Sequence, residues 1–468
     1  MSLFLPHRRF LALGRDGGVV YTPPAGLGWP STVNGKSAPA GAIYQGERWV
    51  ALGAGRTPLD PKTLVSSSIW AATPQYVDPT RADNAGDGLS WAAAKRDINA
   101  AITAANGDGA ASAMLANCLA NDFYHQTRTI NGSAVFPSGV QPAKPAGLVA
   151  SGGRVRHIAG TAEDTWTSAG SGVYTGGPST ALQVFDRLTL DAYGNYVEIT
   201  ARADQAAVVA ADEGWADIGV NLAIKRPDGL VPSKTNTLIL RNINVAAFNT
   251  STTDLYIEGF DFEGGQFGAG WHDAVTTANL VYRNNTFKYS GEPANLLSAF
   301  RARQVNGLVF LEDCEASRGA SDGFNFHQDS AVGPMYVFGN RLRAFSNGRL
   351  TSPSNNAFTA HDGVIAWVVG LVCGDSYVGS DFHCVENTKT YALGCTVTAT
   401  TRGGAGNAAV KASNSAIIWL ENCVIEAPAG HYALHAQGGT IYHRNCTIIG
   451  DTLADAGGSI VAVTGDWP

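Results

Sequence analysis

Charge is scarce in this chain of 468 residues: Asp, Glu, Lys and Arg together make up 15%, with a formal net charge of −7. No Lys- or Arg-rich run is available to follow a phosphate backbone, which argues against nucleic acid as a partner. Long hydrophobic runs are also missing, and no stretch approaches the roughly 18 apolar residues of a membrane-spanning helix. The opening MSLFLPHRRFLALGRDGG carries an Arg-Arg pair, but Gly14-Arg15-Asp16 interrupts it where a signal sequence needs an apolar segment. The chain is therefore read as unprocessed and made in a cytoplasm. Its seven cysteines are odd in number and form no CxxC pair, so neither a disulfide framework nor a zinc knuckle is indicated. Sustained three-to-four spacing of apolar residues is lacking too, which excludes a helical bundle.

What is present is glycine, 55 residues of it, with short runs of Val, Ile, Thr, Asn and Ser. That composition suits a turn-rich all-β protein. The C-terminal half repeats one plan with a period of roughly 20 to 30 residues, the mark of a solenoid. LILRNINV from Leu238, LYIEGFDF from Leu255, LVYRNNTF from Leu280, LVFLEDCEA from Leu308, MYVFGNRLRA from Met335, TYALGCTVT from Thr390, AIIWLENCVI from Ala416 and TIYHRNCTII from Thr440 all follow it. Alternating apolar residues lead to a small Asn, Asp or Cys at a bend, and a second alternating pair follows. Stacked on successive coils, the bend residues form an internal ladder, and Cys373, Cys395, Cys423 and Cys446 are assigned to one such column as packing residues without chemistry. A propeller blade of about forty residues or more is too long for these units.

Ahead of the repeats lies YVDPTRADNAGDGLSWAAAKRDINAAITAANGDG, where Ser90 can cap a helix carrying Trp91, Ile98 and Ile102 and ending at Asn106-Gly107. This passage resembles the opening segment of right-handed parallel β-helix proteins of the pectin-lyase-like superfamily, including phage tailspikes and polysaccharide lyases. There a short strand and an amphipathic helix close the open end of the coil, whose exposed backbone is otherwise a free sheet edge. The expected fold is thus an all-β right-handed parallel β-helix with a short N-terminal capping helix and a β-rich insert. Residues 1–70, rich in Gly, Pro and Ala, form an N-terminal arm unable to bury a core of its own; 71–153 open the coil, 154–236 form the insert and 237–468 the coil with its groove.

The second part of each repeat carries the candidate chemistry. ASDGFNFHQ from Ala320, TAHDGVIAW from Thr359 and VGSDFHCVE from Val378 put Asp322, Asp362 and Asp381 at matching places on three coils, and AGNAAVKAS from Ala405 and AGHYALHAQ from Ala429 follow. Coils lie about 4.8 Å apart, so the three carboxylates would form an acidic column with at least one raised pKa. Glycosidic cleavage needs such a pair, an acid for the leaving oxygen and a base or nucleophile at the anomeric carbon, and the outer two would leave room for water and inversion. His327, His361, His383 and His431 border the column, and Lys411 follows on the next coil. The set resembles the polygalacturonase groove, without that family's paired aspartates or Gly-His-Gly. Asp-Gly at 322–323 and 362–363 is equally a turn signal. A column of carboxylates could also hold Ca²⁺; in a lyase variant Ca²⁺ with Arg301 or Arg303 would neutralise a uronate while Lys411 or a histidine removes the proton. Trp367 and Tyr377, with Phe324, Phe326, Phe382, Trp271 and Tyr432, offer flat faces for sugar rings. The insertion NGRLTSPSNNAFTA from Asn347 enlarges the coil before His361, and its SNNAFTAHDG resembles phage-associated β-helix sequences.

The resemblance to tailspikes implies a homotrimer assembled in the host cytoplasm, held on a virion or virion-like particle through residues 1–70, whose groove recognises a bacterial surface polysaccharide. Hydrolysis of that polysaccharide by Asp322, Asp362 and Asp381 is the expected activity. A lyase, or a purely adhesive or structural spike, are the alternatives.

Overall fold

The computed structural model of the protein describes residues 18–124, 142–161, 163–177, 181–241, 253–265, 269–271, 277–290, 298–328, 333–349, 355–400 and 407–468. Three parallel sheets run its length, of twelve, ten and eight strands, here called sheets I, II and III. Each coil visits them in turn: Leu308–Glu312 lies in sheet I, Glu315–Ser317 in sheet II and Phe324–His327 in sheet III, and the next coil repeats this with Tyr336–Asn340, Arg343–Phe345 and Phe358–His361. Parallel neighbours joined by crossovers adopt the right hand, and the fold is the expected right-handed parallel β-helix.

The bend between sheets I and II is one residue in the left-handed region, taken by Asn284, Asp313, Arg341, Gly370, Gly394, Asn422 and Asn445. Asn is among the few side chains that tolerate this conformation. The residue after it points inward, which makes an internal column of Asn285, Cys314, Leu342, Leu371, Cys395, Cys423 and Cys446. Asn285 ties its coil to the one before, donating to Ile257 O at 2.9 Å and accepting from Phe260 N at 2.8 Å. Cys373 is not in this column. It sits within sheet II between Ala344 and Val397, because the bend on its coil falls at Gly370 and gives Leu371 the inner place. Cys314 belongs to the column instead, and all seven cysteines are free thiols. The rest of the interior is a stack of aliphatic and Phe side chains, with Phe358 and Phe382 rings 4.8 Å apart and nearly parallel.

The capping helix spans Ile98–Gly107 and buries Ile98, Ala101, Ile102 and Ala105 over the first coil. Its N-cap is Asp97, which accepts from Ala100 N at 2.9 Å. Ser90 instead closes a turn by accepting from Ala93 N, and Trp91 packs on Tyr76 outside the helix. Asp97 prevails because it directly precedes the apolar face.

The insert is two four-stranded antiparallel sheets, with strands from Gly160–Thr161 through Thr237–Arg241. LILRNINV therefore opens no coil. Its strand pairs antiparallel with Ala181–Leu190. The insert is bolted to the coil by Arg318–Asp191 at 2.8 Å, Arg349–Glu198 at 3.2 Å and Tyr196 N donating to the Tyr289 hydroxyl at 2.8 Å.

The leading segment, described from residue 18, has no core of its own but shares one. Outward-facing residues of sheet I form a column in register, Tyr256, Val281, Phe310, Phe338, Trp367, Tyr391, Trp419 and Tyr442. Leu27, Trp29, Trp49, Leu64, Ile69 and Trp70 pack over this column, and Trp467 closes its far end. Gly370 and Gly394 stand where other coils carry a side chain, and a Cβ there would lie 2.6 and 2.3 Å from the Trp49 ring. Their missing side chains let Trp49 settle onto the coil.

Candidate functional site

The outer face of sheet III carries the polar constellation. Strand alternation turns every second side chain outward, and the register sets two adjacent columns. One contains Arg301, Asn325, Thr359, His383, Lys411 and His435; the other contains Arg303, His327, His361, Val385, Ser413, Gln437 and Asp455. Inward positions on the same strands are apolar, so Phe324, Phe326 and Phe382 are core residues and not sugar platforms.

His327 Nε2 lies 2.5 Å from Asp362 Oδ2, and both side chains are partly open to solvent. Asp362 ends its strand in the left-handed conformation, φ 52°, followed by Gly363 at φ 79°. The Asp-Gly turn signal is therefore correct, and the turn itself aims the carboxylate back at the preceding coil. The His361 ring stacks on His327 with centroids 5.2 Å apart. Burial lowers the pKa of His327, and the neighbouring His361 and the Arg301 and Arg303 charges add to this while Asp362 opposes it. His361 is lowered in the same way by burial, against the pull of Asp322 and Asp362. Both imidazoles are thus neutral and basic above their lowered values. His383 is pushed down to about 3 by burial and the neighbouring Lys411, and its Nε2 pairs with the Ser413 hydroxyl at 2.8 Å. Lys411 is lowered by burial, with Asp455 opposing. His435 Nε2 meets Asp455 Oδ1 at 3.1 Å.

The acidic column expected from Asp322, Asp362 and Asp381 is not formed. Pairing of Phe324 with Phe358 and of Phe358 with Phe382 puts Asp322 level with Asn356, Asp381 level with Ala357, and Asp362 beyond the far end of both strands. The three similar-looking segments differ in where Asp stands relative to the strand: two residues before it at Asp322, one before it at Asp381 and just after it at Asp362. Asp322 is 4% exposed and accepts from Asn325 Nδ2 at 2.5 Å, Asn356 N at 2.7 Å and Thr359 Oγ1 at 3.0 Å. It fastens the start of two strands, and burial raises its pKa. Asp381 is 2% exposed and accepts from Ser376 N at 2.9 Å, stapling the loop before its strand; burial pushes it up to about 7.

Of the other expected residues, Arg301, His327, His361, His383 and Lys411 do come together on this face. Trp367 does not: it is fully buried on sheet I, edge-on to Trp29 at 5.7 Å. Tyr377 lies in the loop between sheets II and III beside Arg318 and Arg349, at the insert. His431 is buried just before its strand, four residues from the outward His435. Residues 350–354 of the long insertion lie outside the described residues, as do Arg8 and Arg9. Among the described residues no group of three or more His, Cys, Asp or Glu is placed to hold a metal ion, and the carboxylate column on which calcium rested is absent. Asn325, Thr359, Ser413, His435 and Asp455 were missed by the sequence reading. Counting two residues back from His327 and His361 gives Asn325 and Thr359, and two on from Lys411 gives Ser413, whereas His435 and Asp455 follow only from the register of the last coils.

No family model matches the chain, and no curated protein matches it. Among solved structures it is similar to a glycoside hydrolase at 9% identity, covering 83% of this chain and 96% of that one, with a TM-score of 0.41. A pectate lyase is matched at 12% identity over 81% and 82% of the two chains, with a TM-score of 0.36. The tailspike of an Acinetobacter baumannii bacteriophage, in complex with a capsular saccharide, is matched at 12% over 79% and 69%, with a TM-score of 0.29. The likeness is one of fold. No helix among the described residues is long and apolar enough to cross a membrane.

Proposed function

We propose that the outer face of sheet III binds an acidic polysaccharide and cleaves it by β-elimination. The observation that carries this reading is the His327–Asp362 pair at 2.5 Å, set in a face whose columns also carry Arg301, Arg303, His361, His383 and Lys411. Cations on one face favour an anionic chain. Asp362 orients His327 as a carboxylate orients a catalytic imidazole. In the proposed step a uronate carboxylate lies against Arg301 and Arg303, His327 takes the proton beside it, and the adjoining glycosidic C–O bond breaks. The electron pair forms a C=C bond in the product and the departing oxygen takes up a proton. Elimination is preferred to hydrolysis because hydrolysis needs two reachable carboxyl groups, whereas Asp322 is buried in bonds to the next coil and Asp381 in a bond to the loop before its strand.

The sequence resemblance to phage spikes extends this reading to a homotrimeric, virion-borne protein that meets a bacterial surface polysaccharide. Incubation with uronate-containing glycans should release products absorbing in the ultraviolet, and His327→Ala should abolish them. Saturated products would sink elimination in favour of hydrolysis, and unaltered glycan that stays bound would leave an adhesive spike.

A further inference from the structure

We infer that a cavity of about 310 Å³ beside Asp362 is a sugar subsite that takes one acidic pyranose unit of the bound polysaccharide. This rests on the reading of sheet III as a polysaccharide-binding face and adds to it a specificity pocket beyond the cleavage pair.

The cavity lies where chains turn from sheet III back to sheet I. It is lined by Asp362, Asn387, Lys389, Leu27, Pro334 and Ile365. Asp362 thus belongs to both the cavity wall and the pair with His327, so a chain lying across His327 reaches the cavity within one unit. The volume is at the small end for ligand sites, which run from about 300 Å³. The lining is a few apolar surfaces with converging polar groups, the combination that holds a pyranose by its face and its hydroxyls. Gly363, at φ 79°, makes the left-handed turn beside the opening, a conformation that favours glycine.

One wall comes from the leading segment. The turn Ala25–Leu27 is held by Lys389 Nζ donating to Gly26 O at 3.1 Å, and a Cβ on Gly26 would lie 3.2 Å from the Trp419 ring. Leu27 is buried in the same aromatic cluster. The wall is therefore fixed before any ligand arrives, and a preformed wall avoids the ordering cost of binding. An ammonium has three donors, so Lys389 retains N–H groups for a carboxylate after serving Gly26. That selects an acidic sugar over a neutral one.

The test uses His327→Ala protein, in which elimination is switched off, and titrates it calorimetrically with tetramers of galacturonate, mannuronate and neutral galactose. Asn387→Trp, which fills the cavity, should weaken uronate binding about tenfold or more. Lys389→Met keeps the stem and should erase the preference for acidic over neutral tetramers. Uronate affinity unchanged in both variants, or no uronate binding before either substitution, overturns the subsite. A protein that binds through the cavity but never releases unsaturated products fails only the elimination reading. One that releases them with the cavity filled and uronate affinity intact fails only this one.

Discussion

The outer faces of sheets I and III are built by the same rule and serve opposite ends. On both, parallel register stacks each outward side chain on its counterpart about 4.8 Å above and below. On sheet I the column is Tyr256, Phe310, Phe338, Trp367, Tyr391 and Trp419, and the leading segment covers it. On sheet III the columns are mostly polar, with Arg, His, Lys, Thr, Asn, Ser, Gln and Asp, and the face stays open in part. A solenoid fixes where side chains stand and leaves their chemistry free. One wall became a seam for the chain's own beginning, and the other became the candidate site.

The largest effect should come from stripping the covered wall. A chain begun at Ala72 leaves the aromatic column facing water, a patch far larger than soluble monomers tolerate. We expect it to aggregate on expression, and a soluble monomer with the parent's thermal midpoint would show that the roof is dispensable. The single substitution Trp367→Ala should cost about 3–5 kcal/mol in chemical denaturation while leaving glycan binding intact, because Trp367 faces outward from sheet I and its ring partners are Trp29, Phe338 and Tyr391.

The open wall should respond the other way, losing turnover without losing stability. His327→Ala or Asp362→Asn should lower kcat/KM by about 10²–10⁴, the usual worth of a positioned base, with a near-parental unfolding midpoint. The pH profile sharpens this. Burial, followed by His361, holds His327 below the ordinary imidazole value, with Asp362 opposing. A base acts unprotonated, so activity should fall only when the pH drops below about 6.5. Asp362→Asn removes the opposing carboxylate and should move that acid limb lower still. A limb that moves upward would reject the assignment.

The same face predicts an acid weakness. His383 sits at about 3 when folded, against 6.5 for a free imidazole. Its folded value is depressed, so protons bind the unfolded chain first. Its contribution is whole above pH 6.5 and drains away as pH falls toward 3. Denaturation midpoints of His383→Gln across that window should decline less steeply than the parent's.

Legibility followed the same division. Period-two alternation, the bend residues and the coil-length repeat announced the β-helix, because each coil restates them. His327, His361, His383 and Lys411 share one face because they fall on the strands themselves. What the sequence hid is register. Asp322 and Asp381 precede their strands by different numbers of residues and Asp362 follows its own, so a likeness of DG and SD segments put three different places on one line. Trp367 was misplaced for a related reason: nothing in a strand's own pattern says that residues some three hundred positions earlier will cover its outer face. Long-range partners such as Trp29 and Trp49 leave no periodic trace.

The smallest effect belongs to Asp381, and it separates a staple from a catalyst. Burial raises its carboxyl to about 7, above the 3.8 of an unfolded chain. Its contribution is therefore whole below about pH 3.8 and is lost as pH rises through 7, where the charge must be carried in a dry place. Asn keeps an oxygen to accept from Ser376 N but cannot ionise. Asp381→Asn should retain cleavage and binding, and its thermal midpoint should gain slightly on the parent's between pH 4 and pH 8. A loss of turnover matching that of His327→Ala would return Asp381 to the chemistry, since a carboxylate that only closes a loop has no reason to be missed by the substrate.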